Sequence, residues 1–268
     1  MAKILVFVFV VLSFSAWASS VGCVAHRGHS SRFLENSRAA IDDAIALIQQ
    51  DFSYLNNKHG VEFDIHHTRD GQALVLHDST LKRTAKNKDG EVCPLESEIS
   101  QWDLDELTES CLLNNGEELL TLKELLPTLV DSKVMIFLEM KDTPSDQTLK
   151  LIKDVVASNQ ERLRILSFDT DILDFVRLQT EGTSLEAFWQ DVKRFDLETI
   201  RFSADTPYEG LNINYNFLTR SLIKKIRRDS AKEISVWTVD APREINKFMQ
   251  YQVDYITTND LSRCLELI

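Results

Sequence analysis

The feature that most constrains the fold is an alternation of short apolar runs with longer segments of helical periodicity, which continues along most of the chain. Several of the apolar runs are almost continuously hydrophobic, which is typical of strands buried on both faces of a parallel sheet. These runs are the candidate strands Gly22–Ala25, Val61–Ile65, Ala73–Leu76, Val134–Leu138, Leu163–Leu166, Leu185–Phe188, Gly210–Ile213, Ile234–Trp237 and Asp254–Ile256.

The segments between these strands carry apolar residues three and four positions apart, which is the spacing of one buried helix face. They predict helices over Ser37–Gln50, Leu122–Val130, Leu149–Ala157, Ile172–Leu178, Leu218–Ile226 and Ile245–Tyr251. A strand followed by a helix, repeated about eight times in about 250 residues, predicts an α/β fold of the (β/α)8 TIM barrel type. A doubly wound dinucleotide-binding sheet is disfavoured, because no Gly-x-Gly-x-x-Gly follows the first strand.

Residues 84–118 interrupt this alternation. The interval is polar and contains Asn87-Lys88-Asp89-Gly90 and Asn114-Asn115-Gly116, which are typical turn sequences. We therefore expect a small insertion after the third strand, over one end of the barrel.

The N-terminal residues predict a signal peptide. Lys3 supplies a positive charge, Ile4–Ala16 is an uncharged apolar run, and Ala16-Trp17-Ala18 matches the small-x-small cleavage pattern. The run is shorter than the about 20 apolar residues of a membrane span, so we expect no stable span. Residues 1–18 are predicted to be removed on export, to the periplasm or outside the cell, leaving a barrel domain over 19–268. An uncleaved anchor is the alternative.

Export would put the four cysteines in a compartment that permits disulfides. Cys93 and Cys111 bracket a short polar stretch, whereas Cys23 and Cys264 lie near the two ends of the mature chain, which often approach each other within a domain. Of the three possible pairings we expect Cys93 with Cys111 and Cys23 with Cys264.

The charge balance bears on the choice of partner. With 30 Lys and Arg against 42 Asp and Glu, the formal net charge is -12. This charge opposes the phosphate backbone of nucleic acids, whose binding depends on basic residues that displace counterions. We expect no nucleic-acid partner, and the sequence does not indicate an oligomeric state.

Acidic side chains occur in or directly after two predicted strands, and active sites of such barrels form where strands end. Glu62 and Asp64 are two residues apart and therefore share a strand face, and Glu139 follows Val134–Leu138. Buried carboxylates need a cation. Three carboxylates suit Mg2+ or Ca2+ better than zinc. The alternative is a structural salt-bridge cluster with nearby basic residues.

His26 and His77 each follow an apolar strand directly, and imidazole is the natural acid or base near neutral pH. Asp78 stands beside His77, where it can orient the ring. Arg27 and Lys141 follow the first and fourth strands, where their charges can neutralise phosphoryl oxygens. A cation site flanked by two imidazoles and two basic side chains suits the cleavage of a phosphate ester.

A set of short motifs runs in order along almost the whole mature chain. They are Val24-Ala25-His26-Arg27-Gly28, Glu35-Asn36-Ser37, Val61-Glu62-Phe63-Asp64-Ile65, Val75-Leu76-His77-Asp78-Ser79-Thr80-Leu81, Leu138-Glu139-Met140-Lys141, Leu166-Ser167-Phe168-Asp169, Val236-Trp237-Thr238-Val239-Asp240 and Val253-Asp254-Tyr255-Ile256-Thr257-Thr258. Together they resemble the motifs of the glycerophosphodiester phosphodiesterase family, within the phosphatidylinositol-phospholipase-C-like phosphodiesterase superfamily.

The resemblance implies a barrel with an insertion and a divalent-metal site that hydrolyses glycerophosphodiesters to an alcohol and glycerol 3-phosphate. It also implies a role for each matching residue: His26 and His77 as acid and base, Glu62, Asp64 and Glu139 as metal ligands, Arg27, Lys141 and Trp237 at the substrate, and Glu35, Asn36 and Asp78 as supports behind them. The residues do not indicate which histidine is the acid, nor whether water or a glycerol hydroxyl is the nucleophile.

Residues 181–208 match the family weakly, so we expect substrate selection to differ there. A phosphodiesterase of lysophospholipase-D or sphingomyelinase-D type, acting on acylated lipids, is one alternative. It would need an apolar trench, for which Phe188, Trp189, Phe202 and Tyr208 are candidates. A barrel that binds without catalysis is a further alternative, but its expected mark, loss of a histidine or a metal carboxylate, is absent from the sequence.

Overall fold

The computed structural model describes residues 21–50, 58–159, 162–183, 188–192, 207–230 and 232–268. The predicted signal peptide, residues 1–18, lies outside the described residues. The described strands are β1 (Gly22–Ala25), β2 (Gly60–His67), β3 (Ala73–Val75), β4 (Ala85–Asn87), β5 (Cys111–Leu113), β6 (Met135–Met140), β7 (Leu163–Ser167), β8 (Phe188–Val192), β9 (Gly210–Asn214), β10 (Glu233–Trp237) and β11 (Tyr255–Thr258). The described helices are α1 (Arg38–Gln50), α2 (Leu104–Ser110), α3 (Leu122–Ser132), α4 (Asp146–Asn159), α5 (Thr170–Gln179), α6 (Arg220–Asp229), α7 (Pro242–Tyr251) and α8 (Leu261–Leu267).

Parallel strands close into a barrel in the order β1, β2, β6, β7, β8, β9, β10, β11. Strand β1 completes the ring, because it pairs with β11 on one side and with β2 on the other. The (β/α)8 barrel predicted from the alternation of strands and helices is confirmed.

The helices pack their apolar faces against the outside of the barrel. Helix α1 buries the predicted stripe Ala40, Ile41, Ala44, Ile45 and Ile48. Helix α3 begins at a capping box, in which the hydroxyl of Thr121 accepts from the backbone N–H of Glu124. Strand residues that point outward, such as Val61, Phe63 and Ile65, belong to the same core. The main core therefore lies between strands and helices, and the alternate strand residues face the barrel interior.

The third strand in the chain does not join the barrel. We predict a strand over Ala73–Leu76 within the alternation, but β3 pairs antiparallel with the end of β2 and lies outside the ring. The connection between them is a tight turn in which Gly71 has a φ of 77°. A parallel partner would need a crossover of about a dozen or more residues, so this turn permits only a hairpin.

The polar interval after β3 folds around an apolar cluster of its own. Strands β4 and β5 pair antiparallel, and helix α2 lies between them in sequence. The buried members of the cluster are Leu74, Leu76, Leu81, Ala85, Cys93, Ile99, Leu107, Cys111, Leu113 and Leu119. The interval is therefore a small packed unit attached through β3 to the end of β2.

Strand β8 extends beyond the end of the strand predicted in this part of the sequence. We predict a strand over Leu185–Phe188; residues 184–187 lie outside the described residues, and the described strand covers Phe188–Val192. Because β8 extends to residue 192, it places Asp191 in the barrel wall. A polar residue in a barrel strand was not expected from the apolar run.

Aromatic rings fill the barrel interior beneath the strand ends. Phe137, Trp189 and Tyr255 contact one another edge to face, with ring centroids 5.5, 5.2 and 5.4 Å apart. Gly210 makes room for this cluster, since a Cβ at this position would lie 2.3 Å from the Trp189 ring. Phe137 and Trp189 precede Glu139 and Asp191 by two residues, so the aromatic layer forms a floor under the polar side chains that follow.

Both expected disulfides are present. Cys23 in β1 is bonded to Cys264 in α8, and Cys93 is bonded to Cys111 at the start of β5. The first bond joins the first barrel strand to the last helix, and the second lies within the insertion.

In the described part of the chain, no helix combines the length and the apolar character needed to cross a bilayer.

Candidate active site

Three carboxylates meet at the carboxyl ends of β2 and β6. Glu62 and Asp64 lie on the inner face of β2, and Asp64 is paired in register with Glu139 of the neighbouring β6. One oxygen from each of the three lies within 4.8 Å of the others, and all three side chains are buried. The register of two adjacent strands therefore produces the acidic cluster that the sequence predicts.

The charges around this cluster are unevenly compensated. Lys141 Nζ lies 2.9 Å from Asp64 Oδ1 and also contacts Glu139, and Arg27 Nε lies 3.4 Å from Asp64 Oδ2. Although burial alone would raise it, the pKa of Asp64 is held well below its usual range by Lys141 and Arg27. Burial and the charge of Asp64 raise the pKa of Glu62 well above its usual range.

The pKa of Glu139 is shifted in the direction opposite to that of Asp64, although both belong to the same cluster. Burial and the charge of Asp64 raise the pKa of Glu139 to about 8, despite its contact with Lys141. Oxygen Oε1 of Glu62 is buried and has no hydrogen-bond partner among the described residues. A buried carboxylate oxygen without a donor fits a cluster that could hold a cation. The all-oxygen donor set suits a hard divalent ion.

The turn after β1 holds Glu62 from the backbone. Arg27 and Gly28 have φ of 58° and 75°, and this left-handed turn directs the N–H of Arg27 to Glu62 Oε2 at 2.8 Å. The N–H of Gly28 donates to the backbone oxygen of Glu62 at 3.2 Å. A Cβ on residue 28 would lie 2.6 Å from the backbone of Ala40, so the turn needs glycine both for its φ and for its packing against α1.

Glu35 and Asn36 lie behind the cluster rather than on the cavity wall. Asn36, with a φ of 56°, donates from Nδ2 to Asp64 Oδ2 at 2.9 Å. Glu35 accepts from Arg27 Nη1 at 2.8 Å and from Arg83 Nη1 at 2.6 Å. These contacts fix one face of Asp64 and the guanidinium of Arg27.

His26 is oriented by a chain of hydrogen bonds from the last strand. Its Nδ1 lies 2.7 Å from Asn259 Oδ1, while Asn259 Nδ2 donates to Asp240 Oδ2 at 2.8 Å. Since Asp240 accepts from the amide nitrogen, Asn259 presents its oxygen to the ring, and His26 Nδ1 carries the proton. Burial, together with the charge of Arg27, lowers the pKa of His26. In its neutral form the ring therefore has an unprotonated Nε2.

His77 is oriented by a carboxylate instead. Its Nδ1 donates to Asp78 Oδ1 at 2.7 Å, and Arg83 Nε holds the other oxygen of Asp78 at 2.7 Å. The hydrogen bond from Arg83, followed by that from His77, lowers the pKa of Asp78 to about 2. Burial lowers the pKa of His77, while Asp64 and Asp78 act in the opposite direction. His26 and His77 thus both have Nδ1 bonded to a neighbour.

A cavity of about 230 Å³ joins these groups. Its walls are His26, Arg27, Glu62, His77, Glu139, Lys141, Phe168, Asp191, Asn212, Trp237 and Thr257. Every residue expected from the sequence to act directly lines this cavity or, in the case of Asp64, belongs to the acidic cluster beside it. Asp78, Glu35 and Asn36 contact the wall residues from behind.

The opposite wall contains residues that the sequence did not single out. Asp191 and Asn212 are register partners on β8 and β9, and Asn212 Nδ2 donates to Asp191 Oδ1 at 2.6 Å. Burial and the charge of Glu139 raise the pKa of Asp191 well above its usual range. Asp191 was missed because the predicted strand ended at Phe188, before it; the two-residue spacing from Trp189 is the signal that places it inward.

Trp237 is held against the same wall. Its Nε1 donates to the backbone oxygen of Asn212 at 3.0 Å, and its ring packs edge to face on Phe168 with centroids 5.6 Å apart. The cavity thus has an acidic side at β2 and β6, two imidazoles, and an aromatic side at Trp237 and Phe168.

Comparison with known proteins identifies the family. The model of the glycerophosphoryl diester phosphodiesterase family matches residues 26–263. This chain belongs to that family. One relative is the glycerophosphodiester phosphodiesterase of Caldanaerobacter subterraneus subsp. tengcongensis. It is 26% identical to this chain over 253 residues, which are 91% of this chain and 96% of that protein. Human glycerophosphodiester phosphodiesterase 1 is 32% identical over 123 residues, 45% of this chain and 34% of its own length.

Solved structures of the glycerophosphoryl diester phosphodiesterase family share the fold. A phosphodiesterase from Oleispira antarctica, in complex with the product sn-glycerol-3-phosphate, superposes with a TM-score of 0.70 at 19% identity, covering 92% of this chain and 96% of that one. The glycerophosphodiester phosphodiesterase from Agrobacterium tumefaciens gives a TM-score of 0.72 at 17% identity, covering 92% and 100%. These comparisons confirm the family resemblance seen in the motifs. They also confirm the prediction that this chain is a phosphoric diester hydrolase.

Proposed function

We propose that this protein is an exported, divalent-metal-dependent enzyme that hydrolyses glycerophosphodiesters to an alcohol and glycerol 3-phosphate. The observation that carries the proposal is the buried cluster of Glu62, Asp64 and Glu139, which opens with two oriented imidazoles onto one cavity. The names of the relatives support the substrate class, and the small cavity fits a compact polar substrate.

In this proposal Glu62, Asp64 and Glu139 hold the metal, and Mg2+ or Ca2+ is the expected ion. The unpartnered oxygen of Glu62 supports this assignment. When bound, the ion would act as a Lewis acid that neutralises negative charge on the phosphoryl oxygens. The metal-free cluster is incompletely compensated, and this accounts for the raised pKa values of Glu62 and Glu139.

Arg27 and Lys141 are the proposed phosphate contacts. Both line the cavity, and both already face the acidic cluster through Asp64. Their attachment to this carboxylate directs the two cations to the same point, where a phosphodiester would lie beside the metal. Preorganised charge of this kind stabilises the negative charge that develops on the phosphoryl oxygens.

We assign His26 as the base and His77 as the acid. A base must be neutral, and deep burial beside Arg27 favours neutral His26, whose Nε2 accepts the proton of the attacking hydroxyl or water. An acid must be protonated, and the carboxylate of Asp78 stabilises the imidazolium of His77. His77 then protonates the leaving alkoxide. Asn259 and Asp78 keep both rings in the tautomer that exposes Nε2.

Export is supported by the chemistry of the cysteines. The described chain has two disulfides and no free cysteine, and such bonds persist in oxidising compartments. The predicted signal peptide supports the same location.

The alternative of an acylated lipid substrate gains no support from its candidate trench residues. Phe188, Trp189 and Tyr208 are buried in packed clusters, where they cannot line an open trench. Phe202 lies outside the described residues. A deacylated glycerophosphodiester therefore remains the proposed substrate.

The test is hydrolysis by the purified mature chain with and without divalent metal. Glu62→Gln should reduce kcat/KM by about a hundredfold or more on every substrate, because it removes one proposed metal ligand. Glu91→Gln is the matched control, since Glu91 is an exposed residue of the insertion and belongs neither to the acidic cluster nor to the cavity wall. Full activity after chelation of metal, or in Glu62→Gln, would contradict the proposal.

A further inference from the structure

Among the described residues, two acids of the cavity wall form no ion pair: Glu62, which belongs to the proposed metal cluster, and Asp191. Glu139 contacts Lys141, and Glu62 accepts from the backbone of Arg27. Asp191 has a hydrogen bond from the neutral amide of Asn212 and no ion pair within the described ranges. A buried carboxylate held only by an amide is poorly compensated, which agrees with its raised pKa.

Two oxygen acceptors on this wall have no donor within the described ranges. They are Asp191 Oδ2 and Asn212 Oδ1, both fully shielded from solvent. The side chains are only 4% and 6% exposed, and both line the cavity. The amide of Asn212 is oriented by its own bond to Asp191 Oδ1, so its oxygen is fixed as an acceptor. The wall therefore holds two acceptors without donors, and an entering cation would stabilise the ionised form of Asp191 against the burial that raises its pKa.

Three kinds of substrate group can be compared with this wall. A vicinal diol supplies hydroxyl donors but no positive charge for Asp191. A quaternary ammonium supplies the charge but no N–H for the two oxygens. A primary ammonium supplies both the charge and three donors, and the neighbouring rings of Trp237 and Phe168 are apolar surfaces suited to its alkyl chain.

We propose that Asp191 and Asn212 form a subsite for a primary ammonium on the alcohol part of the substrate. The inference rests on the proposed function and deepens it, because it makes glycerophosphodiesters with an aminoalkyl head group the preferred substrates. The group that enters replaces the missing donors of both oxygens and compensates the charge of Asp191. Asp191 thereby sets specificity and takes no part in proton transfer.

The first measurement compares three substrates on the wild-type enzyme with saturating metal: glycerophosphoethanolamine, glycerophosphocholine and glycerophosphoglycerol. We expect kcat/KM to be highest for the ethanolamine ester, by about tenfold over the glycerol ester, since a charge-assisted hydrogen bond is lost in the latter. The choline ester should fall between them. Equal values for all three would overturn the subsite and leave the proposed function intact. Absence of hydrolysis of any of them would overturn the proposed function itself.

The second measurement uses Asp191→Asn, which keeps the shape of the side chain and the bond from Asn212. The ratio of kcat/KM for the ethanolamine ester to that for the glycerol ester should fall towards one. Asp131→Asn, on the exposed face of α3, is the matched control and should keep the wild-type ratio. An unchanged ratio in Asp191→Asn, or an equal loss on both substrates, would show that Asp191 has a structural role and overturn the inference.

The third measurement does not depend on turnover or on the folding of a variant. Calorimetry on the metal-free wild-type protein, in which the proposed reaction cannot proceed, measures binding of each ester directly. We expect the ethanolamine ester to bind about tenfold more tightly than the glycerol ester. Equal dissociation constants would overturn the subsite.

Discussion

Hydrogen bonds from single neighbouring residues influence the protonation states of the two histidines in the cavity. His26 and His77 are alike in type and in their bonded Nδ1, but one is held by an amide and the other by a carboxylate. Because a carboxylate stabilises a positive ring more strongly than a neutral amide does, we expect the two imidazoles to serve different steps. Their immediate neighbours, Asn259 and Asp78, therefore distinguish two otherwise equivalent histidines.

The lowered pKa of His26 predicts the acidic limb of the pH profile. The base is active when it is neutral, that is, above its pKa, and burial with Arg27 places that pKa below its ordinary value of 6.5. We expect kcat/KM, measured with saturating metal, to fall only below about pH 6.5. An acidic limb centred at neutral pH or above would contradict the assignment of His26 as the base.

The pKa of Glu139 predicts proton release on metal binding. In the metal-free protein this pKa is about 8, so Glu139 holds a proton at neutral pH, and a metal must displace it. Affinity should therefore rise with pH by about tenfold per unit for each proton that the metal displaces, from Glu139 and from Glu62, whose pKa is also raised. Calorimetry in two buffers of different ionisation enthalpy measures the released proton. Affinity that does not change between about pH 6 and pH 8 would argue against Glu139 as a ligand.

At the scale of elements, the site depends on the turn that follows β1. This turn joins Arg27 to Glu62 through a backbone hydrogen bond, and its left-handed residues lie against α1. The same short segment therefore positions a proposed phosphate contact and a proposed metal ligand. A local change there should affect the acidic cluster without touching any of its carboxylates.

Gly28→Ala tests this coupling. The new Cβ is strained by φ and would lie 2.6 Å from the backbone of Ala40, so we expect a loss of about 2 kcal/mol or more in the free energy of unfolding, together with weaker metal binding. Gly116→Ala is the control, since φ there is also positive, at 91°, but nothing lies within 4 Å. We expect this control substitution to lower the free energy of unfolding by about 1 kcal/mol and to leave the metal affinity unchanged. Equal effects of the two substitutions, measured by denaturant unfolding, would refute the packing argument.

Local patterns predict much of this architecture, and the exceptions have physical reasons. Glu62, Asp64 and Glu139 could be placed together because strand period and parallel register follow from sequence alone. The position of β3 could not, because an apolar run does not state whether its partner is parallel; the tight turn at Gly71 decides that. Asp191 was missed because the predicted strand ended at Phe188, and Asn212 and Asn259 because each contacts a partner that is distant in sequence.

At the scale of the whole molecule, two disulfides differ greatly in the length of chain they enclose. The sequence separation is 241 for Cys23 and Cys264 but 18 for Cys93 and Cys111. In the chain-entropy model, the longer loop contributes roughly 5 kcal/mol to stability and the shorter one roughly 3 kcal/mol.

Thermal and denaturant unfolding of two double variants tests this ranking. We expect Cys23→Ala/Cys264→Ala to lower the free energy of unfolding more than Cys93→Ala/Cys111→Ala. The second pair should mainly loosen the insertion, because its bond lies within the separate apolar cluster. A larger loss from the second pair would show that the insertion, and not closure of the barrel, limits stability.

The bond between β1 and α8 also changes what a cut in the chain can do. Because it links residue 23 to residue 264, the polypeptide between them is a covalent ring. A protease that cleaves one peptide bond within the ring releases no fragment, and a cut between Cys93 and Cys111 leaves the ring closed through the second disulfide. In the exported location that we propose, where proteases are encountered, a barrel cut once would keep all of its strands attached and its cavity walls together.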